Sequence, residues 1–123
     1  MNLLFADFET AYEPRGDYSL TKMPTMQYIR DDRFECLGCA FGQLDKPASE
    51  ILPHYWWVYP DDLPVWFSRV DWPNTIAVAH NAAFDGAVLA ERFGHCPAFW
   101  LDTQSWTRYA IAQGALPPDA STS

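Results

Sequence analysis

The fold is decided between residues 75 and 94, which read TIAVAHNAAFDGAVLAERFG. Residues 75–79 are apolar or β-branched, which is typical of a buried strand. Residues 82–93 then place apolar side chains at helical spacing, and Gly94 provides a C-terminal stop. The stretch therefore predicts a strand that leads directly into a helix, the basic unit of an α/β domain.

Further elements follow on both sides of this unit. Three strands are predicted before it, and the third contains Pro53, which favours an edge position or a break. The order β-β-β-α-β-α-β-α predicts an α/β fold with a mixed sheet and helices packed on it. The predicted elements are strands over residues 3–8, 34–44, 50–59 and 99–101, a turn over 45–47, and helices over 24–30, 61–70 and from Asp102 or Thr103 to Gln113.

Composition limits the possible classes of protein. The chain has 123 residues, which fits one domain, and 49% of them are hydrophobic. No stretch has the length of a signal-peptide core or a membrane span, so no membrane contact is expected. The odd count of 3 cysteines predicts reduced thiols and a cytoplasmic location. The net charge of −8 argues against nucleic-acid binding unless bound cations offset it.

The first candidate for chemistry is the pair Asp7 and Glu9, at the end of the first strand. Residues two apart on a strand share a face, so their carboxylates should lie side by side. Such a pair suits a hard divalent cation, Mg²⁺ or Mn²⁺. Taken alone, two solvated acids at a strand end are the simpler interpretation.

The second candidate is the run His80-Asn81-Ala82-Ala83-Phe84-Asp85, between the fourth strand and its helix. Asn81 is predicted to cap the helix, with Phe84 directed to the core and Asp85 to the strand ends. An ordinary capped helix with an acid in its first turns explains this run equally well. If the first and fourth strands are parallel neighbours, however, Asp7, Glu9 and Asp85 converge where open α/β sheets bind ligands.

Asp7-Phe8-Glu9-Thr10 followed by this second run resembles the first and second motifs of the DnaQ-like, or DEDD, exonuclease superfamily. Residues 18–23, 28–31 and 33–35 also resemble the N-terminus of phage-type DNA polymerases with a proofreading domain, and Leu101-Asp102-Thr103 resembles the step after the second motif. The resemblance implies a ribonuclease H-like fold. It also implies a 3′-to-5′ exonuclease acting on the 3′ end of single-stranded DNA, in a bacterial cell or phage-infected host.

The same resemblance implies roles for particular residues. Asp7, Glu9 and Asp85 would be catalytic ligands of two Mg²⁺ or Mn²⁺ ions, with Asp7 bridging them. The predicted substrate contacts are Phe8, Thr10, His80 and Asn81.

The sequence departs from the family after Asp102, because no fourth carboxylate preceded by a His or Tyr follows on a later helix. We therefore expect residues 1–123 to be one partial exonuclease domain, normally joined to a downstream polymerase domain and showing little or no nuclease activity alone. Two alternatives stay open: an exoribonuclease of the same fold, and a non-catalytic module for nucleic-acid binding or interaction.

Two other patterns have simpler interpretations. Cys36 and Cys39 have the spacing of a zinc or redox site, but on a regular strand they would point to opposite faces, which favours buried thiols. Core and turn packing is favoured over base stacking for the tryptophans, which are Trp56, Trp57, Trp66, Trp72, Trp100 and Trp106.

Overall fold

The computed structural model describes residues 1–45 and 55–120, which fold around a five-stranded sheet. The strands lie in the order β3-β2-β1-β4-β5, with β1 antiparallel to β2 and parallel to β4. The predicted α/β architecture with a mixed sheet is therefore confirmed. The strands are β1 (Asn2–Thr10), β2 (Cys36–Gln43), β3 (Tyr55–Val58), β4 (Thr75–Ala79) and β5 (Phe99–Asp102).

Helices occupy most of the connections between strands. The longest helical stretch after β4 begins as an α-helix and ends in a π-helical turn over Leu89–Phe93, which stops at Gly94 with a left-handed φ of 73°. Short 3₁₀ helices over Pro60–Asp62 and Trp72–Asn74 flank the second α-helix. The α-helices are α1 (Thr25–Arg30), α2 (Leu63–Ser68), α3 (Ala82–Val88) and α4 (Thr103–Ala112).

Most predicted elements occur within a few residues of their expected bounds. The fourth strand matches at both ends. In contrast, β1 extends past the predicted residue 8 to Thr10, because it pairs with β2 from Leu4 to Thr10. Part of the predicted turn over 45–47, and residues 50–54 of the third predicted strand with Pro53, lie outside the described residues. The described part of that strand, β3, occupies a sheet edge, which is one of the two interpretations that Pro53 favoured.

One face of the sheet carries the hydrophobic core. Along β1 the buried side chains are Leu4, Ala6 and Phe8, which alternate with more exposed residues. Phe67 of α2 has no exposed surface, and its ring lies 5.1–6.0 Å from the rings of Phe8, Phe41, Trp72 and Phe93. Burying aromatic side chains of this size stabilises the fold by roughly 1.5–3 kcal/mol each.

Helix α1 is fixed to the chain segment that follows α3. Arg30 donates two hydrogen bonds to the carboxylate of Glu91, at 3.0 and 3.1 Å. Arg92 donates to the carbonyl oxygen of Ile29 at 2.8 Å. These contacts hold Tyr28, which is almost fully buried, below the end of β1.

The opposite sheet face is more exposed. Phe99 on β5 is 60% exposed, and Trp57 on β3 is 43% exposed. This surface, called the open face below, also contains Phe5, Asp7 and Glu9 of β1 together with their register partners Gly42, Ala40 and Gly38 on β2.

Within the described residues, no helix combines the length and apolar character that crossing a membrane requires.

Candidate functional site

The acidic pair on β1 has the predicted arrangement. Asp7 and Glu9 are both exposed, and Phe8 between them is only 4% exposed because its ring packs in the core. The two acids therefore share the open face, as strand geometry requires. The Phe8 ring, one of the predicted substrate contacts, is instead part of the core, where it stacks on Phe93 with centroids 5.7 Å apart.

A β-bulge distorts β2 beside this pair. Glu9 pairs with Gly38, but Thr10 pairs with Cys36, so Leu37 is an extra residue. Gly38 has a φ of +150°, which favours glycine. Bulges are common next to active sites, where they redirect strand ends.

The same bulge corrects the expectation that Cys36 and Cys39 point to opposite faces. They pair with Thr10 and Phe8, which share the core face, so both thiols point inward. Cys39 has no exposed surface, and burial raises the pKa of both thiols above the usual value. Both are free thiols.

The second motif begins where β1 and β4 stop pairing. Strand pairing between β1 and β4 ends at Phe5 and Val78, and the chain then turns through Asn81 into α3. Asn81 occupies the N-cap position of α3, as predicted, but it has a left-handed φ of 81° and its side chain makes no capping hydrogen bond. Its backbone N–H instead donates to Asp102 Oδ1 at 2.9 Å, and this bond holds the turn against the end of β5.

Asp85 joins the two motifs. Its Oδ1 accepts a hydrogen bond of 3.0 Å from the backbone N–H of Phe8, which lies beyond the last β1–β4 pair. The carboxylate therefore supplies an acceptor to a strand amide at the point where α3 meets β1. As predicted, Asp85 faces the strand ends, and Phe84 lies against Tyr28 of the core, with ring centroids 6.3 Å apart.

The electrostatics of Asp85 reflect this position. Asp85 is 3% exposed, and burial raises its pKa to about 7, while the N–H of Phe8 opposes the shift. The negative charges of Asp7 and Glu9 raise the same pKa further. Burial and the neighbouring acids therefore both favour the protonated form of Asp85.

The three acids do not form a ready-made cage. Within residues 1–45 and 55–120, no three His, Cys, Asp or Glu side chains are grouped closely enough to hold a metal ion together. Asp7 and Glu9 extend into solvent from the open face, whereas Asp85 is directed at the backbone between them.

His80 lies on the other side of Asp7. Both line a cavity of about 220 Å³ on the open face, together with Phe5 and Thr103. The Thr103 hydroxyl donates to the carbonyl of Ala79 at 3.3 Å and lies 3.0 Å from His80 Nδ1.

Thr10, the remaining predicted contact, borders a separate cavity. The Tyr28 hydroxyl donates to the carbonyl oxygen of Ala11 at 2.7 Å and lies 2.8 Å from the Thr10 hydroxyl, which has a proton of its own to share with it. This cavity of about 230 Å³ is lined by Thr10 together with the exposed side chains of Tyr12 and Leu20. Thr10 therefore lies at the same strand end as Asp7 and Glu9 but on the core side.

Sequence reasoning missed three features of the site: the bulge, the Asp102 contact to Asn81, and the exposed ring of Trp57. The available signal for the bulge was glycine at positions 38 and 42 in a predicted strand, since glycine inside a strand often marks a bulge or a close approach.

Comparisons of the chain with protein-family models, curated proteins and solved structures gave no match in any of the three.

Proposed function

We propose that Asp7, Glu9 and Asp85 form the cation-binding edge of a metal-dependent 3′-to-5′ exonuclease site with a ribonuclease H-like fold. Its substrate is the 3′-terminal phosphodiester of single-stranded DNA, as in proofreading. The hydrogen bond from the Phe8 N–H to Asp85 carries the proposal, because it brings the acid of the second motif to the backbone between the two acids of the first.

The donor set suits a hard divalent cation. All three candidate ligands are carboxylates, which favour Mg²⁺ or Mn²⁺ over softer metals. Burial is the largest cause of the raised pKa of Asp85, and the negative charges of Asp7 and Glu9 add to it; a cation bound nearby would offset those two charges.

The residues of the chain have separate tasks in this proposal. Asp7 and Glu9 are exposed and free to move toward a ligand, whereas Asp85 is held by the Phe8 amide. His80 is oriented by Thr103 and borders the same cavity as Asp7, where it would contact the substrate. When bound, the metal ions would supply an activated water and offset charge on the phosphate.

One observation favours the non-catalytic alternative. The bond from Phe8 to Asp85 has a structural use without any metal, because it satisfies a strand amide and attaches α3 to β1. A chain that kept this bond for stability alone would also keep Asp85.

Titration calorimetry with Mn²⁺ separates the two functions. We expect the unaltered chain to bind Mn²⁺, and Asp7→Asn or Glu9→Gln to weaken binding by about tenfold or more, as loss of a charged ligand implies. Asp45→Asn is the matched control, since Asp45 is an exposed acid that follows β2 near the opposite end of β1.

Equal Mn²⁺ affinity in all of these variants, or no binding by the unaltered chain, would leave the structural use of Asp85 as the better explanation. Incubation with 5′-labelled single-stranded DNA and Mn²⁺ tests the separate expectation that residues 1–123 have little or no activity alone. Shortening from the 3′ end that is absent in Asp7→Asn would contradict this expectation and would show a complete site. The same assay on an RNA oligonucleotide tests the exoribonuclease alternative.

A further inference from the structure

An aromatic residue lies in one row with the acidic pair on the open face. Asp7 of β1 pairs with Ala40 of β2, and Ala40 pairs with Trp57 of β3. Paired residues on neighbouring strands share a face, so all three side chains project from the open face. Two strand spacings separate Asp7 from Trp57, a distance of about 10 Å.

The indole of Trp57 leans from this row toward Glu9. A Cβ atom on Gly38 would lie 2.7 Å from both Cε2 and Cη2 of the indole, and nearer still to Cζ2, so the ring rests on Gly38. Gly38 is the direct partner of Glu9 on the next strand. The ring therefore lies one strand spacing from Glu9, with only small residues of β2 between them.

Trp57 differs from the other tryptophans near the sheet. Trp56, Trp66 and Trp100 pack against the core, and Trp72 is 6% exposed, whereas Trp57 is 43% exposed. Tyr59 meets its ring edge-on, with centroids 6.4 Å apart and an angle of 88°. An indole placed on glycine and supported at its edge keeps a flat surface for contact.

We propose that Trp57 is the base-stacking surface for the 3′-terminal nucleotide of a single strand whose phosphate lies at Asp7 and Glu9. This inference rests on the proposed function. It names a residue that distinguishes a nucleobase from a bare phosphate ester, because stacking requires the base.

The charge of the chain agrees with this choice of contact. At a net charge of −8, the chain as a whole does not attract DNA phosphates. Stacking on a neutral indole needs no positive charge, and it tolerates any base because every base has a flat face. A 3′ end of variable sequence is therefore the substrate that this surface suits.

Fluorescence anisotropy of 5′-labelled hexathymidylate tests the proposal in the presence of Ca²⁺ as the oxygen-liganded cation. We expect Trp57→Ala to weaken binding by about tenfold, within the range measured for loss of one stacked base, and Trp57→Phe to weaken it less. Trp106→Ala is the matched control, because Trp106 on α4 is 64% exposed and should contribute less than about twofold.

The ligand is varied in parallel by removing the base from the 3′-terminal nucleotide. The unaltered chain should lose about the same tenfold on this abasic strand, whereas Trp57→Ala should bind intact and abasic strands equally. The proposal would be overturned if Trp57→Ala weakened binding to the intact and abasic strands equally, or did not weaken binding at all. It would also be overturned if the unaltered chain showed no detectable binding at millimolar concentration.

Mn²⁺ calorimetry on Trp57→Ala distinguishes this failure from failure of the proposed function. Retained Mn²⁺ binding together with unchanged DNA binding would remove only the role of Trp57. Loss of Mn²⁺ binding in Asp7→Asn or Glu9→Gln, compared with Asp45→Asn, tests the carboxylates and not the indole.

Discussion

The two faces of β1 differ in almost every physical respect although their residues alternate along one strand. Leu4, Ala6 and Phe8 are buried against α2 and α3 and belong to the aromatic core. Asp7 and Glu9 lie on the open face beside glycine and alanine of β2. One face supplies stability, and the other keeps charged and aromatic side chains accessible to a ligand.

This difference implies that stability and binding should respond to separate sets of substitutions. Core residues should affect unfolding whether or not a ligand is present, while open-face residues should affect binding with little effect on unfolding. Asp85 is the exception, because it is buried like a core residue but has an ionisable carboxyl group like the acids of the open face.

The largest expected effect concerns the aromatic core. Phe67→Ala should lower the free energy of unfolding by about 3–5 kcal/mol, because it removes the ring that four other aromatic side chains contact. Phe99→Ala on the open face should cost less than about 1 kcal/mol. Urea unfolding of both variants measures the difference, and similar losses would mean that the two faces are equally packed.

The next effect concerns the ionisation of Asp85. Its pKa is about 7 in the folded chain and 3.8 ordinarily, so between these values the folded chain holds a proton that the unfolded chain has lost. Stability from this group is therefore full below about pH 4 and is lost as the pH rises to about 7. Asp85→Asn keeps an oxygen for the Phe8 amide and removes this loss, for a gain of about 1–4 kcal/mol at pH 7.

Thermal unfolding between pH 4 and 7 measures this dependence, with Asp45→Asn as the control because its carboxylate is exposed. The difference in stability between Asp85→Asn and the unaltered chain should grow with pH. A constant difference across the range would show that Asp85 ionises normally in the folded chain.

The smallest effect concerns Gly38, on which the indole of Trp57 rests. Gly38→Ala should cost about 1–2 kcal/mol, from its positive φ and from collision with the indole. Gly114→Ala measures the cost of a positive φ without a collision, because Gly114 has a φ of 77° and no atom lies within 4 Å of the added Cβ. Chemical denaturation of Gly38→Ala in a Trp57→Ala background should recover the collision part. Failure to recover it would mean that the ring does not rest on Gly38.

Local pattern was sufficient for much of the fold. The strand over Thr75–Ala79 and the helix that follows were predictable because apolar residues repeat with the periods of those elements, and because Gly94 stops the helix. The shared face of Asp7 and Glu9 was predictable for the same reason. Residues two apart on a strand need no knowledge of the rest of the chain.

Features that depend on distant contacts were not predictable from local pattern. The left-handed turn at Asn81 depends on Asp102 of another strand, and the bulge at Leu37 depends on pairing with β1. The bulge changed the faces of Cys36 and Cys39, because one extra residue reverses the alternation of a strand. The ribonuclease H-like identity and the exonuclease activity stay predictions, which the calorimetric and DNA-binding measurements address.

The bond between the Phe8 amide and Asp85 has one more consequence. It connects positions 77 residues apart in the chain, and the amide hydrogen is buried beneath it. Solvent can replace that hydrogen with deuterium only when α3 moves away from β1 or the domain unfolds. The exchange rate of this single amide therefore reports how often the two motifs separate.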